Sequence, residues 1–152
     1  MLRVGVIGVG RIGRMHAELL ERRVAGTTVT AVADAHAATA AAVAGELGLR
    51  AARVDELLAA DDVDAVAICS STDTHPDLIV AAARAGKAIF CEKPVSLELA
   101  ELDRALAAVD AAGVPFQIGF NRRFDPAHQA VHDAVAGGEV GEIGRASCRE
   151  RV

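Results

Sequence analysis

Glu92, Lys93 and Pro94 directly follow a short apolar run over residues 87–91, KAIFC. At the carboxyl end of a strand in an open α/β sheet, an ammonium group points into the crevice where such sheets take ligands. Partial burial beside a cationic ring would there lower its pKa toward the range useful for proton transfer. A solvated lysine paired with Glu92 is the other reading these residues leave open. A second chemical set opens the chain, where the β-rich run 4–7 breaks into Gly8, Gly10 and Gly13. Beyond it the apolar spacing turns helical, with Ile12, Met15, Leu19 and Leu20 predicted on one face. This is the G-x-G-x-x-G turn of a dinucleotide-binding βαβ unit. Gly8 permits the tight turn, Gly10 lets backbone approach a pyrophosphate, and Gly13 lets the helix lie close on the sheet. The anion would rest on unpaired N–H groups at the helix start.

Asp34 ends a second β-rich run, 28–33, about 20 residues past the glycine turn, where a carboxylate accepts hydrogen bonds from ribose hydroxyls. It would repel a 2′-phosphate, and Ala35 and His36 offer no arginine to welcome one, so NAD is favoured over NADP. Capping the Ala-rich helix that follows is the alternative use of Asp34. Ser70, Ser71 and Thr72 open a polar loop at the end of the apolar run 63–69, again on the ligand-binding edge. Thr74 and Asp77 have the spacing of a capping pair, with Pro76 in the first helical turn. Arg122 and Arg123, between Phe120 and Phe124, read either as polar-ligand contacts or as a solvent-exposed basic corner. His128 and His132 lie four apart on one helical face, but no H-E-x-x-H pattern or third ligand accompanies them, so no metal is expected.

These groups need a frame, and the pattern supplies one. Helices are predicted over 37–47, 54–60, 77–85 and 127–136. Another follows Ser96, with Leu99, Leu102, Leu106 and Val109 as its buried stripe and Gly113 as its stop. Strands are predicted over 63–69, 87–91 and 114–118, beside the two already placed. The order β-α-β-α-α-β-α-β-α-β defines an α/β fold, a doubly wound, mostly parallel sheet with right-handed crossovers.

Bulk properties narrow the function. A chain of 152 residues has room for one domain with a good core. Net charge is −5 with no basic block, and aromatics make up 3%, which argues against nucleic acid as partner. No apolar run is long enough for a bilayer and the chain enters a strand directly, so a cytoplasmic protein without membrane partners is expected. Cys69, Cys91 and Cys148 show no metal or disulfide spacing and read as reduced, buried thiols; Cys69 and Cys91 each end an apolar strand, which allows them to be neighbours in a sheet.

Four motifs together resemble the N-terminal half of the Gfo/Idh/MocA oxidoreductases: GVGRIG (8–13), STDTH (71–75), CEKP (91–94) and GFNRRFDP (119–126). The likeness covers residues 2–142, and within the family FCEKPVSL with GFNRRFDP is most similar to the inositol-oxidising members. The resemblance implies a Rossmann domain over 1–120, with 121–142 beginning the connection to a second, α+β domain that is missing. It implies NAD-dependent oxidation of a ring hydroxyl of a polyol or sugar, in the first instance myo-inositol. Lys93 stands at the family's catalytic lysine and Arg122 at a substrate-contacting arginine. Gly8, Gly10, Arg11, Ile12 and Asp34 match cofactor contacts, while Ser70, Ser71, Thr72, His75, Glu92 and Lys93 lie near the ribose and nicotinamide.

The Asp and His that complete the family's proton relay belong to the second domain, so the chain is expected to bind NAD weakly without turning over inositol. The full-length protein is expected to be a homo-oligomer. A non-catalytic NAD-sensing module and a methyltransferase-like domain are rival readings; the first would not need Lys93, and the second would bind S-adenosylmethionine. Residues 143–152, IGRASCRERV, resemble the translation of a sequencing adapter and are set apart from the fold.

Overall fold

The computed structural model describes residues 1–139. The chain divides into two compact units, Met1–Gly119 and the part from Phe120 onward. In the first, six strands form one sheet: β1 (Leu2–Ile7), β2 (Thr27–Ala33), β3 (Arg50–Ala51), β4 (Ala65–Ile68), β5 (Ala88–Cys91) and β6 (Phe116–Ile118). Their order is β3-β2-β1-β4-β5-β6, and every neighbouring pair is parallel. The order reverses beside β1, which leaves a crevice between the carboxyl ends of β1 and β4. Five helices connect the strands: α1 (Arg11–Arg22), α2 (Ala37–Leu47), α3 (Val54–Ala59), α4 (His75–Arg84) and α5 (Leu99–Ala112).

Both faces of the sheet are covered, so its strands read as continuous apolar runs whose alternate residues enter different cores. Ile7, Val66, Ile68, Ile89 and Cys91 pack with Leu57 of α3, Ile79 of α4 and Val109 of α5. Val4, Val6, Val29, Val32 and Ala67 pack with Ala17 of α1 and Val43 of α2. On this second side the sheet opens into an apolar groove of about 410 Å³ bordered by Ala65, Phe90 and Phe116.

The amino end of the sheet is closed by charge. Arg3 makes two side-chain bonds to Asp64, at 2.6 and 3.0 Å, and its backbone N–H donates to the same carboxylate at 2.9 Å. These contacts hold the Asp64 carboxyl well below the usual carboxylate range. Lys87, just before β5, donates from Nζ to the carbonyls of Ala60 and Val63, each at 2.8 Å.

Three expectations are corrected. β3 was not anticipated; it is two exposed residues, too short to carry an alternation. In α1 the buried residues are Gly13 and Ala17, while Met15 and Leu19 are each 44% exposed. The helix lies so close to the sheet that only small residues fit beneath it. In α5, Ala105 and Val109 are buried and Leu99, the first residue of the helix, is 77% exposed.

The second unit contains a 3₁₀ turn, Asn121–Phe124, and α6 (Pro126–Ala136). Asp125 caps α6, its side chain accepting from the N–H groups of Ala127 and His128 at 2.9 and 3.2 Å. The proposed adapter tail, with Ile143, Gly144 and Cys148, lies outside the described residues.

Candidate cofactor site

The glycine turn is built by steric necessity. Gly8 has φ +83°, and a Cβ there would stand 2.5 Å from both Cα and N of Ser70. A Cβ on Gly13 would run into the carbonyl oxygen of Gly8 and stand 3.1 Å from the Cβ of Cys69. Gly10 differs: nothing of the protein lies within 4 Å of its Cβ position. That open space faces the start of α1, where no side chain caps the helix. The first helical bond there is from Arg14 N–H to Gly10 carbonyl, at 2.9 Å. The amides before it keep their hydrogens for an external acceptor, at the positive end of the helix dipole. A pyrophosphate fits this arrangement.

From this turn a cleft of about 640 Å³ extends along the carboxyl edge of the sheet. Gly8, Gly10, Arg11 and Ile12 form one wall, Asp34 stands at the end of β2, and Ser70 and Ser71 follow β4. Asp34 accepts from Val9 N–H through Oδ2 and from His36 N–H through Oδ1, both at 2.9 Å. The carboxylate thus braces the glycine turn, and each oxygen retains a lone pair for a further donor. It does not cap α2, whose N-cap is His36. The Thr74–Asp77 capping pair is likewise absent: Thr74 donates backward to the Ser71 carbonyl at 2.8 Å and lies 2.7 Å from the Ser70 hydroxyl. Thr72 is not among the cleft residues; it borders a separate depression with Asp77, Ser96 and Glu101.

Beyond β5 the Lys93–Pro94 peptide is cis. Lys93 is exposed rather than partly buried, because its side chain lies past the end of the strand. Among the described residues it makes no ion pair. Glu92 does not pair with it. Its Oε1 accepts from His16 Nε2 of α1 at 2.8 Å, and its Oε2 accepts from the Lys93 backbone N–H at 3.2 Å. Both members of the His16–Glu92 pair are about one-fifth exposed, and the His16 ring meets Phe90 edge to face at 5.3 Å. His16 was missed by the sequence reading. Its placement three residues after Gly13, on the helix face toward β5, is the signal that could have found it.

His75, expected near the ribose and nicotinamide, is 1% exposed and absent from the cleft lining. Its Nδ1 lies 2.9 Å from the Pro94 carbonyl oxygen and its Nε2 3.0 Å from the Ser70 carbonyl oxygen, each within hydrogen-bond reach. The thiols of Cys69 and Cys91 are pushed up to about 12, by burial first and the Glu92 charge second. At neutral pH they stay protonated and are poor nucleophiles.

In the second unit Arg122 donates to Asp125 at 3.0 Å. The Asp125 carboxyl is lowered to about 2, chiefly by the His128 side chain and backbone, then by Ala127 N–H and Arg122. His128 and His132 each approach an aspartate, Asp125 at 3.2 Å and Asp133 at 3.1 Å.

A parallel 3-2-1-4-5-6 sheet with a ligand-sized cleft at its switch point and an uncapped helix start behind a glycine turn defines a dinucleotide-binding domain. Residues 2–120 match the Gfo/Idh/MocA model, described as an oxidoreductase family with an NAD-binding Rossmann fold. The chain belongs to that family. It is 46% identical over 142 residues to inositol 2-dehydrogenase of Rhizobium meliloti strain 1021, a match covering 93% of this chain and 43% of the relative.

Among solved structures it resembles scyllo-inositol dehydrogenase from Lactobacillus casei with bound NAD(H) and scyllo-inositol. The identity is 28% and the TM-score 0.87, covering 93% of this chain and 43% of that one. UDP-N-acetylglucosamine 3-dehydrogenase from Acidithiobacillus ferrooxidans is 39% identical with a TM-score of 0.79, covering 88% and 41%. The chain therefore spans less than half the length of these relatives. No helix among the described residues is long and apolar enough to cross a membrane.

Proposed function

We propose that this chain is the cofactor-holding half of an NAD-dependent dehydrogenase that oxidises a ring hydroxyl of a polyol, with an inositol as the substrate class. The observation that carries the reading is the open space at Gly10 before the uncapped start of α1, with Asp34 and Lys93 both on the carboxyl edge of the same sheet. The N–H groups of the first helical turn hold the pyrophosphate, and Asp34 accepts from the adenosine ribose. Ser70 and Ser71 line the middle of the cleft. NAD, when bound, supplies the hydride acceptor. Lys93 is the group that takes the proton of the reacting hydroxyl as its carbon loses hydride and the carbonyl forms. Arg122 contacts substrate, and residues 121–142 begin the connection to the substrate-covering domain.

The names of the relatives support the substrate class, and their greater length supports a division of labour in which cofactor binding resides here and substrate closure elsewhere. The UDP-sugar dehydrogenase among the similar structures makes a nucleotide-sugar hydroxyl the second candidate. Two measurements on the chain test this. NADH fluorescence titration should show saturable binding, and incubation with myo-inositol and NAD should yield no NADH. Absence of binding overturns the cofactor assignment, and robust turnover overturns the division of labour.

A further inference from the structure

We infer that His75 is a positioning residue that locks the lysine loop to the floor of the cofactor cleft. The inference rests on the reading of that cleft given above. His75 is the first residue of α4 and the one polar or charged side chain that is buried among the described residues. Its ring lies between two loops that leave neighbouring parallel strands. Nε2 holds the carbonyl of Ser70, which lines the cleft after β4, and Nδ1 holds the carbonyl of Pro94, the residue after Lys93. A carbonyl oxygen only accepts, so each bond is made by the ring nitrogen that carries hydrogen, and either tautomer leaves the ring seated between the two loops. No other side chain among the described residues bonds to both loops, whereas Glu92 fixes the lysine loop from the opposite side through His16 on α1. Lys93 itself makes no ion pair there, so its placement depends on the backbone that carries it. His75 therefore sets the distance between Lys93 and whatever the Ser70 loop holds, without touching either cofactor or substrate.

The two bonds can be separated by amide side chains. His75→Asn keeps a donor near the Nδ1 position, toward Pro94, and His75→Gln keeps one near Nε2, toward Ser70. The chain has two lysines, Lys87 and Lys93, so amine acetylation followed by mass spectrometry reads Lys93 against Lys87 as internal reference. In the unaltered chain saturating NADH should slow acetylation of Lys93 relative to Lys87. His75→Asn should retain that protection while NADH affinity falls about tenfold, the scale of one lost buried hydrogen bond. His75→Gln should bind NADH within about twofold of the unaltered chain yet lose the protection, a split that loss of fold does not produce.

Equal protection and equal affinity in both variants overturn the inference, as does parallel loss of both quantities with the melting temperature. If neither variant folds, ring exchange in the ¹⁵N-labelled native chain decides. Slowly exchanging ring N–H protons on His75 support the bonds, and exchange as fast as that of exposed His36 overturns them. Failure of the native chain to bind NADH overturns the cofactor reading and this inference with it, whereas binding without the crossed pattern overturns this inference alone.

Discussion

The two lysines of the chain stand at opposite ends of β5 and show how differently the two edges of the sheet are built. Lys87, at the amino end, is enclosed by two carbonyls. Beside it Arg3 and Asp64 consume each other's hydrogen-bonding capacity. Lys93, at the carboxyl end, has no ion pair among the described residues, and the groups around it keep capacity in reserve. Asp34 retains free lone pairs, and the first turn of α1 retains free N–H groups. An edge whose polar groups are closed on one another contributes stability, whereas an edge whose polar groups remain open binds ligand and depends on the rest of the fold for its shape. Substitutions at the amino edge should therefore move melting and leave cofactor affinity alone, and those at the carboxyl edge should do the reverse.

The largest effect should come from the one place where this rule breaks. Gly13→Ala lies on the carboxyl edge, yet its Cβ would meet the Gly8 backbone, which cannot give way. It should cost about 3 kcal/mol or more of stability, as severe overpacking does, and abolish NADH binding. Gly10→Ala meets nothing of the protein, so its melting temperature should match the native chain while NADH affinity falls at least about tenfold, through the methyl group occupying the space for the pyrophosphate. Thermal unfolding by circular dichroism and NADH titration read both. A stable Gly13→Ala chain, or a Gly10→Ala chain with native affinity, would contradict the account of the turn.

Lys87→Met comes next. It leaves two partly buried carbonyls without their donor and should destabilise by roughly 1.5–3 kcal/mol, with NADH affinity unchanged. Lys93→Met, its counterpart at the far end of the same strand, should melt with the native chain. If both lysines proved equally dispensable for stability, the contrast between the edges would fail.

Much of this was legible in the sequence, for reasons that also explain what was not. The glycine turn could be read because its constraints are local: Gly8, Gly10 and Gly13 and the strand and helix around them lie within one short stretch. Asp34 could be placed at the same edge because strand length fixes where β2 ends. What one stretch does not encode is which distant group meets which. A Glu92–Lys93 pair was the alternative that the neighbouring residues left open, but His16, 76 residues earlier, takes the Glu92 carboxylate. His75 was assigned to the cofactor on the family resemblance, whereas its ring faces inward toward Ser70 and Pro94. The α1 stripe was misread for a related reason. Periodicity finds the large apolar residues, but closeness to the sheet made Gly13 and Ala17 the inner ones.

Asp34 sharpens the comparison because its carboxylate does both kinds of work. Asp34→Ser shortens the side chain and removes its charge, so the brace on Val9 weakens along with the contact to the ribose. NADH affinity should fall about tenfold, and NADPH affinity should fall less, since repulsion of a 2′-phosphate is removed at the same time. Competition titrations with the two coenzymes measure the ratio. An unchanged ratio would mean that Asp34 only shapes the turn.

The smallest effect belongs to the closed edge, and its sign follows from linkage. Asp64 is held below its unfolded value by Arg3, so the native state binds a proton there less readily than the unfolded chain. Its contribution to stability is fully present above the unfolded carboxylate value of about 3.9 and is lost as pH falls through the still lower folded value. Asp125, lowered to about 2 by His128, acts in the same direction within the second unit. Melting temperature should therefore decline below about pH 4, and Asp64→Asn should flatten part of that decline while lowering stability modestly at pH 7. Raising the salt concentration should shrink the difference at pH 7, because both partners are substantially exposed and screened. NADH affinity at pH 7 should be the same for Asp64→Asn and the native chain, since the charge sits at the end of β4 opposite the cleft. A loss of affinity in that variant would show that the two edges communicate through the strand, and that open and closed ends are not independent parts of the sheet.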